Sequence, residues 1–378
     1  MAAARSIHLA RAARAVLFLP SRPPLPIRLQ VENTNRCNLR CIMCGRQFRK
    51  PFNRDMPDEL FVKLVSEVRP AYLTINGDGE PLLDPGLENK IRLAKRLGCI
   101  VSLPTNMTLM DESRARQLLA TGLNLLTVSL DGARRETYEA IRVGAKFSEV
   151  IANTRTFMAL MQQQRDPPPP ELRVLLVLQE LNLHDYEAAL ALQRDLGLKI
   201  QLVPVKYLDR KEVAERCAGS AEAFSRLTSD LGRTQKEDTS PDAQELYARW
   251  LRVAEKACHP AGPGRACLRP WTTAYVDARG DVYPCCLAVD PQKSLKMGNI
   301  QAQSFKSIWH GEAYQRYRTS MLESRHSLPV CAGCPAGDEG QIARFRRWFR
   351  WFPASLHHAW PENMEPPARA TTEEPPDS

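Results

Sequence analysis

The sequence has no apolar run that approaches the ~20 residues needed to cross a lipid bilayer. The longest apolar stretch near the start, Ala15 to Pro20, is much too short. A secretory signal is disfavoured too, because no long apolar core and no small-residue cleavage site accompany Arg5, Arg11 and Arg14. Residues 1–26 are therefore interpreted as an N-terminal extension that leads into the fold as a surface helix. The chain is expected to be cytoplasmic, with no membrane span.

Recognisable nucleic-acid-binding modules and internal repeats are also lacking. The net charge is +9, but the basic residues do not form one long run. A scattered basic surface accounts for this charge, so no nucleic-acid partner is expected. The chain has 378 residues, enough for one large catalytic domain and a smaller one.

Cysteine, by contrast, is abundant and unevenly placed. Of the eleven cysteines, three crowd into residues 37–44 and five lie between residues 267 and 334. An odd count with tight groups argues against a disulfide framework and for metal ligation.

Short apolar runs alternate with amphipathic helical stretches across residues 27–210. Apolar strands separated by helices predict a parallel sheet with right-handed crossovers. About six βα units over about 180 residues suit an α/β fold, a partial (β/α)6 TIM-like barrel rather than a complete eightfold one. The candidate strands are Ile27–Glu32, Tyr72–Ile75, Ile100–Leu103, Leu125–Leu130, Arg173–Leu178 and Ile200–Val205.

Residues 211–378 differ from the barrel region in composition and in predicted secondary structure. Residues 211–258 are polar and predicted to form a helical bridge with a break around Gly232–Pro241. Residues 259–345 combine short strands, turns and cysteines, which predicts a small C-terminal domain. Residues 346–378 hold an aromatic and basic segment followed by a Pro/Glu/Thr-rich tail that is expected to be disordered.

The first cysteine group, Cys37, Cys41 and Cys44, follows the first predicted strand with the spacing CxxxCxxC. Three soft thiolates from one short loop suit an iron–sulfur cluster or zinc. A [4Fe-4S] cluster held by three cysteines leaves one iron open to an outside ligand. A zinc loop that borrows a fourth ligand is the alternative.

At these cysteines the chain resembles the radical SAM superfamily, over roughly Ile27 to Lys206. The resemblance implies that S-adenosylmethionine (SAM) binds the open iron through its amino and carboxylate groups. Electron transfer into the sulfonium then yields methionine and a 5′-deoxyadenosyl radical.

The resemblance also implies a set of SAM contacts at successive strand ends. Asp78 departs from the family's glycine-glycine-glutamate-proline segment, so only the last three residues of Gly77–Pro81 match in register. An ordinary glycine-rich turn is the alternative for that segment, and turn or helix-cap duty is the alternative for the later polar residues. The predicted contacts are Met43, Gly79, Glu80, Pro81, Thr105, Asn106, Ser129 and Asp131.

The second cysteine group lies around a predicted hairpin that turns at Arg279-Gly280 and brings Cys267 near Cys285. Spacing alone allows a structural Zn(Cys)4 site. The pattern resembles the SPASM/twitch extension of radical SAM enzymes, which implies one auxiliary [4Fe-4S] cluster, with Cys286 as a substitute for Cys285. Such a cluster would accept an electron from the substrate or serve only as a structural staple. The expected ligands are Cys267, Cys285, Cys331 and Cys334.

Three cysteines fall outside both groups. Cys99 is interpreted as a core residue, while Cys217 and Cys258 lie in the helical bridge. Cys258 is the preferred candidate for a hydrogen-atom donor, which would make the protein a radical epimerase.

The favoured hypothesis is a radical SAM oxidoreductase that cleaves SAM and abstracts hydrogen from a small-molecule or peptide substrate, with net oxidation through the auxiliary cluster. No separate leader-binding domain is expected before Ile27, which favours a small molecule or a peptide presented by another protein. An electron donor such as flavodoxin or ferredoxin is implied. A non-catalytic iron–sulfur or zinc scaffold is the hypothesis from another class. The oligomeric state is not determined by the sequence.

Overall fold

A single nine-stranded sheet runs through the described part of the protein. The computed structural model describes residues 8, 10, 11, 14, 15, 19–49, 52–206, 211–258, 267–289, 295–332 and 334. The strands are β1 Arg28–Val31, β2 Tyr72–Ile75, β3 Ile100–Thr105, β4 Leu125–Ser129, β5 Glu171–Leu178, β6 Ile200–Pro204, β7 Thr273–Val276, β8 Asp281–Tyr283 and β9 Gly298–Asn299. Their order across the sheet is β6-β5-β4-β3-β2-β1-β7-β8-β9.

Strands β1 to β6 pair in parallel, each with its sequence neighbour. The predicted α/β architecture of a partial barrel is therefore confirmed. The helices are α1 Asp58–Val68, α2 Leu87–Arg96, α3 Glu112–Leu119, α4 Arg135–Ile141, α5 Phe147–Gln163, α6 Tyr186–Leu196, α7 Lys211–Cys217, α8 Ala221–Glu237, α9 Pro241–Cys258, α10 Arg269–Thr272, α11 Phe305–Trp309 and α12 Glu312–Glu323.

The helices follow the apolar spacing of the sequence. In α1, Leu60, Phe61, Leu64, Val65 and Val68 are buried, a stripe three to four residues apart that faces the sheet. The predicted break in the helical bridge is shorter than expected, because α8 continues through Gly232 to Glu237. One interior glycine costs a helix only about 1 kcal/mol, and the packing of the apolar face of α8 outweighs this cost.

The C-terminal region joins the barrel sheet directly. β7 pairs in parallel with β1, with Leu29 opposite Ala274, and then turns back as an antiparallel hairpin into β8. Gly280 adopts a φ of +84° in that turn, a conformation that favours glycine. The hairpin was predicted, but its attachment to β1 was not.

A proline-rich segment near the N-terminus, residues 20–24, lies across the C-terminal region; we call it the N-terminal strap. The indole nitrogens of Trp271 and Trp309 donate to the carbonyls of Pro20 and Pro24 at 3.0 and 2.9 Å. The Arg318 guanidinium donates to the carbonyl of Ser21 at 3.1 Å. These bonds hold the N-terminal strap against the C-terminal region.

No helix in the described portion is long and apolar enough to cross a membrane. The aromatic and basic segment and the tail, residues 346–378, lie outside the described residues.

Candidate active site

The loop after β1 carries Cys37, Cys41 and Cys44. Their thiols lie close enough to influence one another, and burial raises the pKa of each, that of Cys44 to about 12. A metal that binds here must therefore displace thiol protons. Within the described residues, no three His, Cys, Asp or Glu side chains are grouped so as to hold a single metal ion.

Backbone hydrogen bonds fix the path of this loop. The amides of Arg40 and Ile42 donate to the carbonyls of Val143 and Ile141 at 2.9 and 3.0 Å, so the loop is bound to the segment that ends α4. The amide of Cys44 donates to the carbonyl of Cys41 at 3.1 Å and closes a tight turn between two thiols.

Gly79 lies against the entrance of the thiol loop. A Cβ built on Gly79 would stand 2.1 Å from the Thr34 carbonyl oxygen and 2.7 Å from that of Arg36. The next amide, that of Glu80, donates to the same Arg36 oxygen at 2.8 Å. Only glycine permits this close approach of two backbones.

The Glu80 carboxylate lies buried beside the end of β3. Its Oε1 accepts from Thr105 Oγ1 at 2.6 Å and from the amide of Leu82 at 3.1 Å, and its Oε2 accepts from the amide of Asn106 at 2.7 Å. A carboxylate offers about four acceptor positions, so one remains. Burial raises the pKa of Glu80, and the hydrogen bonds oppose that shift. Pro81, which is buried too, begins the short helical turn that follows.

Asn106 connects β3 to the thiol loop through its side chain. Its Nδ2 donates to Oδ1 of Asn38 at 3.0 Å, and Asn38 Nδ2 donates to Thr108 Oγ1 at 2.8 Å. Asn38 follows Cys37 directly, so this amide pair holds the first thiol against the strand ends.

Asp131, after β4, is fully buried and engaged with protein groups. Its Oδ2 accepts from Arg142 Nε at 2.7 Å, and its Oδ1 accepts from the amide of Val177 at 2.8 Å. Arg142 in turn lies beside the Cys41 thiol. Asp131 therefore orients Arg142 toward the thiol loop, and a direct contact of Asp131 with SAM stays a prediction. No sequence motif marks Arg142.

The two remaining predicted contacts are half-buried. Ser129 ends β4, opposite Leu175 on β5. Met43 packs on an apolar cluster that includes Val205 and Cys217. Their contact with SAM also stays a prediction.

The thiols of the second group of cysteines also influence one another. The Cys285 thiol lies within electrostatic reach of Cys267 and Cys334, and burial raises its pKa to about 12. Cys331 interacts with the same two thiols, and Tyr317 Oη lies 3.4 Å from its sulfur. The four thiols are thus connected by electrostatic interactions, and Cys286 is a further neighbour of Cys285.

A buried ionic junction links the two cysteine groups. The Arg49 guanidinium donates to both carboxylate oxygens of Asp78 at 2.7 Å and to the backbone carbonyl of Cys286 at 3.3 Å. Beneath it, the Glu32 carboxylate accepts from the amides of Asp78 at 2.8 Å and Ala278 at 3.1 Å. Burial, with Asp78 close by, raises the pKa of Glu32 to about 7.

The junction was not foreseen. Asp78 stood out only as a departure from the family segment, and the structure shows that its side chain binds Arg49, five residues after Cys44. No motif or spacing in the sequence marks Glu32 and Arg49, since their partners are distant in sequence.

Two family models match the chain over these same regions. The model of the radical SAM superfamily matches residues 31–163, and that of the SPASM iron–sulfur cluster-binding domain matches residues 267–335. The chain is a radical SAM enzyme with a C-terminal SPASM domain. Enzymes of this family use SAM and a [4Fe-4S] cluster, and the SPASM domain carries auxiliary clusters.

This radical SAM enzyme is similar along most of its length to several curated proteins. It is 22% identical to the tungsten-containing aldehyde ferredoxin oxidoreductase cofactor-modifying protein of Pyrococcus furiosus, over 82% of this chain and 87% of that protein. It is 25% identical to the AdoMet-dependent heme synthase of Methanosarcina barkeri, over 81% of this chain and 90% of that protein. It is also 25% identical to a PqqA peptide cyclase of Xanthomonas campestris pv. campestris, over 83% and 81%.

Solved structures share its fold. Streptococcus suis SuiB bound to the precursor peptide SuiA aligns with a TM-score of 0.60 at 13% identity, over 90% of this chain and 76% of that one. The protein anSMEcpe with bound AdoMet aligns with a TM-score of 0.56 at 20% identity, over 83% and 89%.

The residues of this radical SAM enzyme fit the cofactors of its family. Three soft thiols lie on one loop, which suits an iron–sulfur cluster. Gly79 keeps the neighbouring backbone free of a side chain, and Glu80 retains an acceptor position for an ammonium group.

The other cysteines are placed apart from these features. Cys99 is buried, and Cys217 is buried beneath Met43. Cys258 is half-buried against Gly219, where an added Cβ would stand 2.2 Å from its sulfur, and burial raises its pKa to about 11. A role for Cys258 as hydrogen donor stays a prediction.

Proposed function

We propose that this radical SAM enzyme catalyses the net oxidation of a small-molecule or peptide substrate. Cys37, Cys41 and Cys44 would hold the SAM-binding [4Fe-4S] cluster. One auxiliary [4Fe-4S] cluster would be held by Cys267, Cys285, Cys331 and Cys334. When bound, SAM and the first cluster supply a 5′-deoxyadenosyl radical that takes a hydrogen atom from the substrate.

The observation that carries this proposal is the contact of Arg49 with both thiol regions. Arg49 follows the first thiol loop, pairs with Asp78 at the end of β2, and reaches the carbonyl of Cys286 beside Cys285. The backbone beside Cys285 thus lies within hydrogen-bond reach of the segment that follows the first thiol loop. A substrate held there would lie beside an electron acceptor. This favours oxidation of the substrate radical over the return of a hydrogen atom to it.

The protein groups around the first site would bind and orient SAM. Glu80 would accept a hydrogen bond from the SAM ammonium at its remaining acceptor position. Thr105 and Asn106 hold that carboxylate in place. Ser129, at the end of β4, would meet the ribose or the carboxylate.

The relatives support both substrate classes. The curated relatives include an AdoMet-dependent heme synthase and a PqqA peptide cyclase. The chain spans about four-fifths of the peptide cyclase and most of the heme synthase.

The decisive experiment is anaerobic reconstitution followed by assay with SAM and dithionite. The wild type should form 5′-deoxyadenosine and carry about eight irons, as expected for two [4Fe-4S] clusters. Changing Cys37, Cys41 and Cys44 together to alanine should leave about four irons and abolish 5′-deoxyadenosine. Cys99→Ala is the matched control, because this buried thiol belongs to neither group.

Absence of 5′-deoxyadenosine from the reconstituted wild type would refute the proposal. About four irons in the wild type and none in the triple variant would show that the protein has no auxiliary cluster. Loss of iron in Cys99→Ala would show that thiol replacement alone disturbs the fold.

A further inference from the structure

Helix α12 contacts the segments that carry the second group of cysteines. The Arg318 guanidinium donates to the carbonyl of Pro270 at 2.9 Å, shortly after the first cysteine of the group. The Tyr314 hydroxyl donates to the carbonyl of Tyr283 at 3.3 Å, shortly before the second. Both donors end on backbone oxygens rather than on a thiol, so these contacts fix the position of the helix.

Tyr317, on the same helix, directs its hydroxyl to a thiol instead. Its Oη lies 3.4 Å from the sulfur of Cys331, and the two groups are hydrogen-bonded. The thiols of Cys285 and Cys267 also act on this hydroxyl electrostatically. Tyr317 is only 6% exposed. Its hydroxyl is therefore a buried neighbour of the second group of thiols.

The hydroxyl of Tyr317 suits a charged partner better than a neutral one. A buried hydroxyl needs a hydrogen-bond partner, and a neutral thiol is a weak one. The sulfur of Cys331 becomes a strong, charged acceptor when its thiol has lost the proton to a metal site. A thiolate cannot donate, so the hydroxyl must then be the donor. This contact therefore fits a loaded cluster better than free thiols.

The surroundings of these thiols favour a cluster that carries an added electron. A hydrogen bond to a cluster sulfur stabilises the reduced form, because reduction adds one negative charge. Arg325 acts in the same direction. Its guanidinium donates to the carbonyl of Cys334 at 2.7 Å and acts electrostatically on the Cys267 and Cys331 thiols. Both effects raise the reduction potential of a cluster held here, which makes it a better electron acceptor.

We propose that Tyr317 tunes the auxiliary cluster as an electron acceptor by donating a hydrogen bond to the Cys331 thiolate. This inference rests on the proposed function, in which four cysteines hold that cluster. In that reaction the substrate gives one hydrogen atom to the 5′-deoxyadenosyl radical. It then gives one electron to the auxiliary cluster and one proton to solvent, a two-electron oxidation in total. Tyr317 changes no bond in these steps and affects how readily the cluster takes the electron.

The test compares two tyrosines of α12 that lose the same atom. Tyr317→Phe removes the hydroxyl that contacts sulfur, and Tyr314→Phe removes one that contacts a backbone carbonyl. Each change is made in the full-length enzyme and also with Cys37, Cys41 and Cys44 replaced by alanine, the triple-alanine background, where the auxiliary cluster is expected to remain alone. Iron is counted, and the cluster's reduction potential is measured by anaerobic redox titration followed by electron paramagnetic resonance.

Tyr317→Phe should lower the reduction potential of the auxiliary cluster by about 59 mV, a roughly tenfold smaller equilibrium constant for one-electron reduction. Tyr314→Phe should change that constant less than about twofold, because its hydroxyl contacts no sulfur. Iron content should stay constant in both variants. Replacement of Tyr317 by 3-fluorotyrosine keeps the ring and makes the hydroxyl a stronger donor, so the potential should rise.

Equal potentials with and without Tyr317→Phe would overturn tuning by this hydroxyl, and so would an equal drop in both variants. Loss of iron from Tyr317→Phe alone would also overturn it, since the hydroxyl would then assemble the site. If both variants lose iron, the fluorotyrosine protein decides, because an unchanged potential there contradicts a hydrogen bond to sulfur.

Failure of the proposed function is recognised separately. A wild type that yields no 5′-deoxyadenosine with dithionite refutes the proposed function, and the potential in the triple-alanine background still decides the role of Tyr317. A triple-alanine protein without iron refutes the auxiliary cluster and its tuning together.

Discussion

A methyl group at Gly79 should disrupt the junction between the end of β2 and the first thiol loop. The Cβ of Gly79→Ala would lie 2.1 Å from the carbonyl oxygen of Thr34, whereas ordinary contacts begin at 3.4 Å. The two backbones must therefore separate by about 1.3 Å. Both obstructing atoms, on Thr34 and Arg36, are backbone atoms, so no side-chain rotation can relieve the clash.

The cost follows from two terms. Overpacking of this kind costs about 1–3 kcal/mol. Separation also stretches the hydrogen bond from the Glu80 amide to Arg36, whose loss costs about 1 kcal/mol. A total of about 2–4 kcal/mol is a large share of the stability of an ordinary domain. Gly79→Ala should thus lower the urea midpoint of unfolding and release iron from the first site.

Gly232→Ala provides the matched control. Gly232 lies inside α8, and a Cβ there would meet nothing within 4 Å. Alanine should raise helix stability by up to about 1 kcal/mol. Urea unfolding and iron content, measured side by side on anaerobically purified proteins, check both expectations. If Gly79→Ala keeps the iron and the midpoint of the wild type, the close approach of the two backbones does not constrain the loop.

Three further changes test other contacts. Glu80→Gln should weaken SAM binding by about 10- to 100-fold, since it removes a charged acceptor, while iron content stays constant; equal binding by equilibrium dialysis would contradict the assigned contact. Asp78→Asn should destabilise the fold by about 1–3 kcal/mol because it removes a carboxylate charge that the nearly buried Arg49 guanidinium contacts, and an unchanged Tm in thermal unfolding would show that this pair is dispensable. Arg318→Met should free the N-terminal strap, as it removes a donor to the Ser21 carbonyl, and limited proteolysis should then cut within residues 20–24; resistance equal to that of the wild type would argue that the tryptophans suffice.

The barrel strands and the thiol groups could be predicted because their signals are local. Apolar runs and the helices between them gave β1 to β6 to within a residue or two, as at Tyr72–Ile75. The hairpin was predictable because Arg279-Gly280 separates two strand-like runs, and the positive φ of Gly280 explains why that residue suits the turn.

The site residues that the sequence did not predict make contacts with residues distant in the chain. Arg142 reaches Cys41 through a fold contact, and Glu32 bonds to Ala278, which lies 246 residues away. Such contacts have no periodicity and no fixed spacing, so a single sequence cannot reveal them. The prediction of a helix break at Gly232 was wrong for a related reason. Packing on the apolar face of α8 outweighs the low helix propensity of one glycine.

The pairing of β1 with β7 has a consequence for synthesis. β1 needs partners on both edges, yet β7 leaves the ribosome about 240 residues later, which at 5–20 residues per second is roughly 12–50 s. For that time one edge of β1 exposes unpaired backbone groups that another nascent chain could join. Slow translation lengthens this exposure. The yield of intact protein in an expression host should therefore depend on elongation speed across the segment between these two strands.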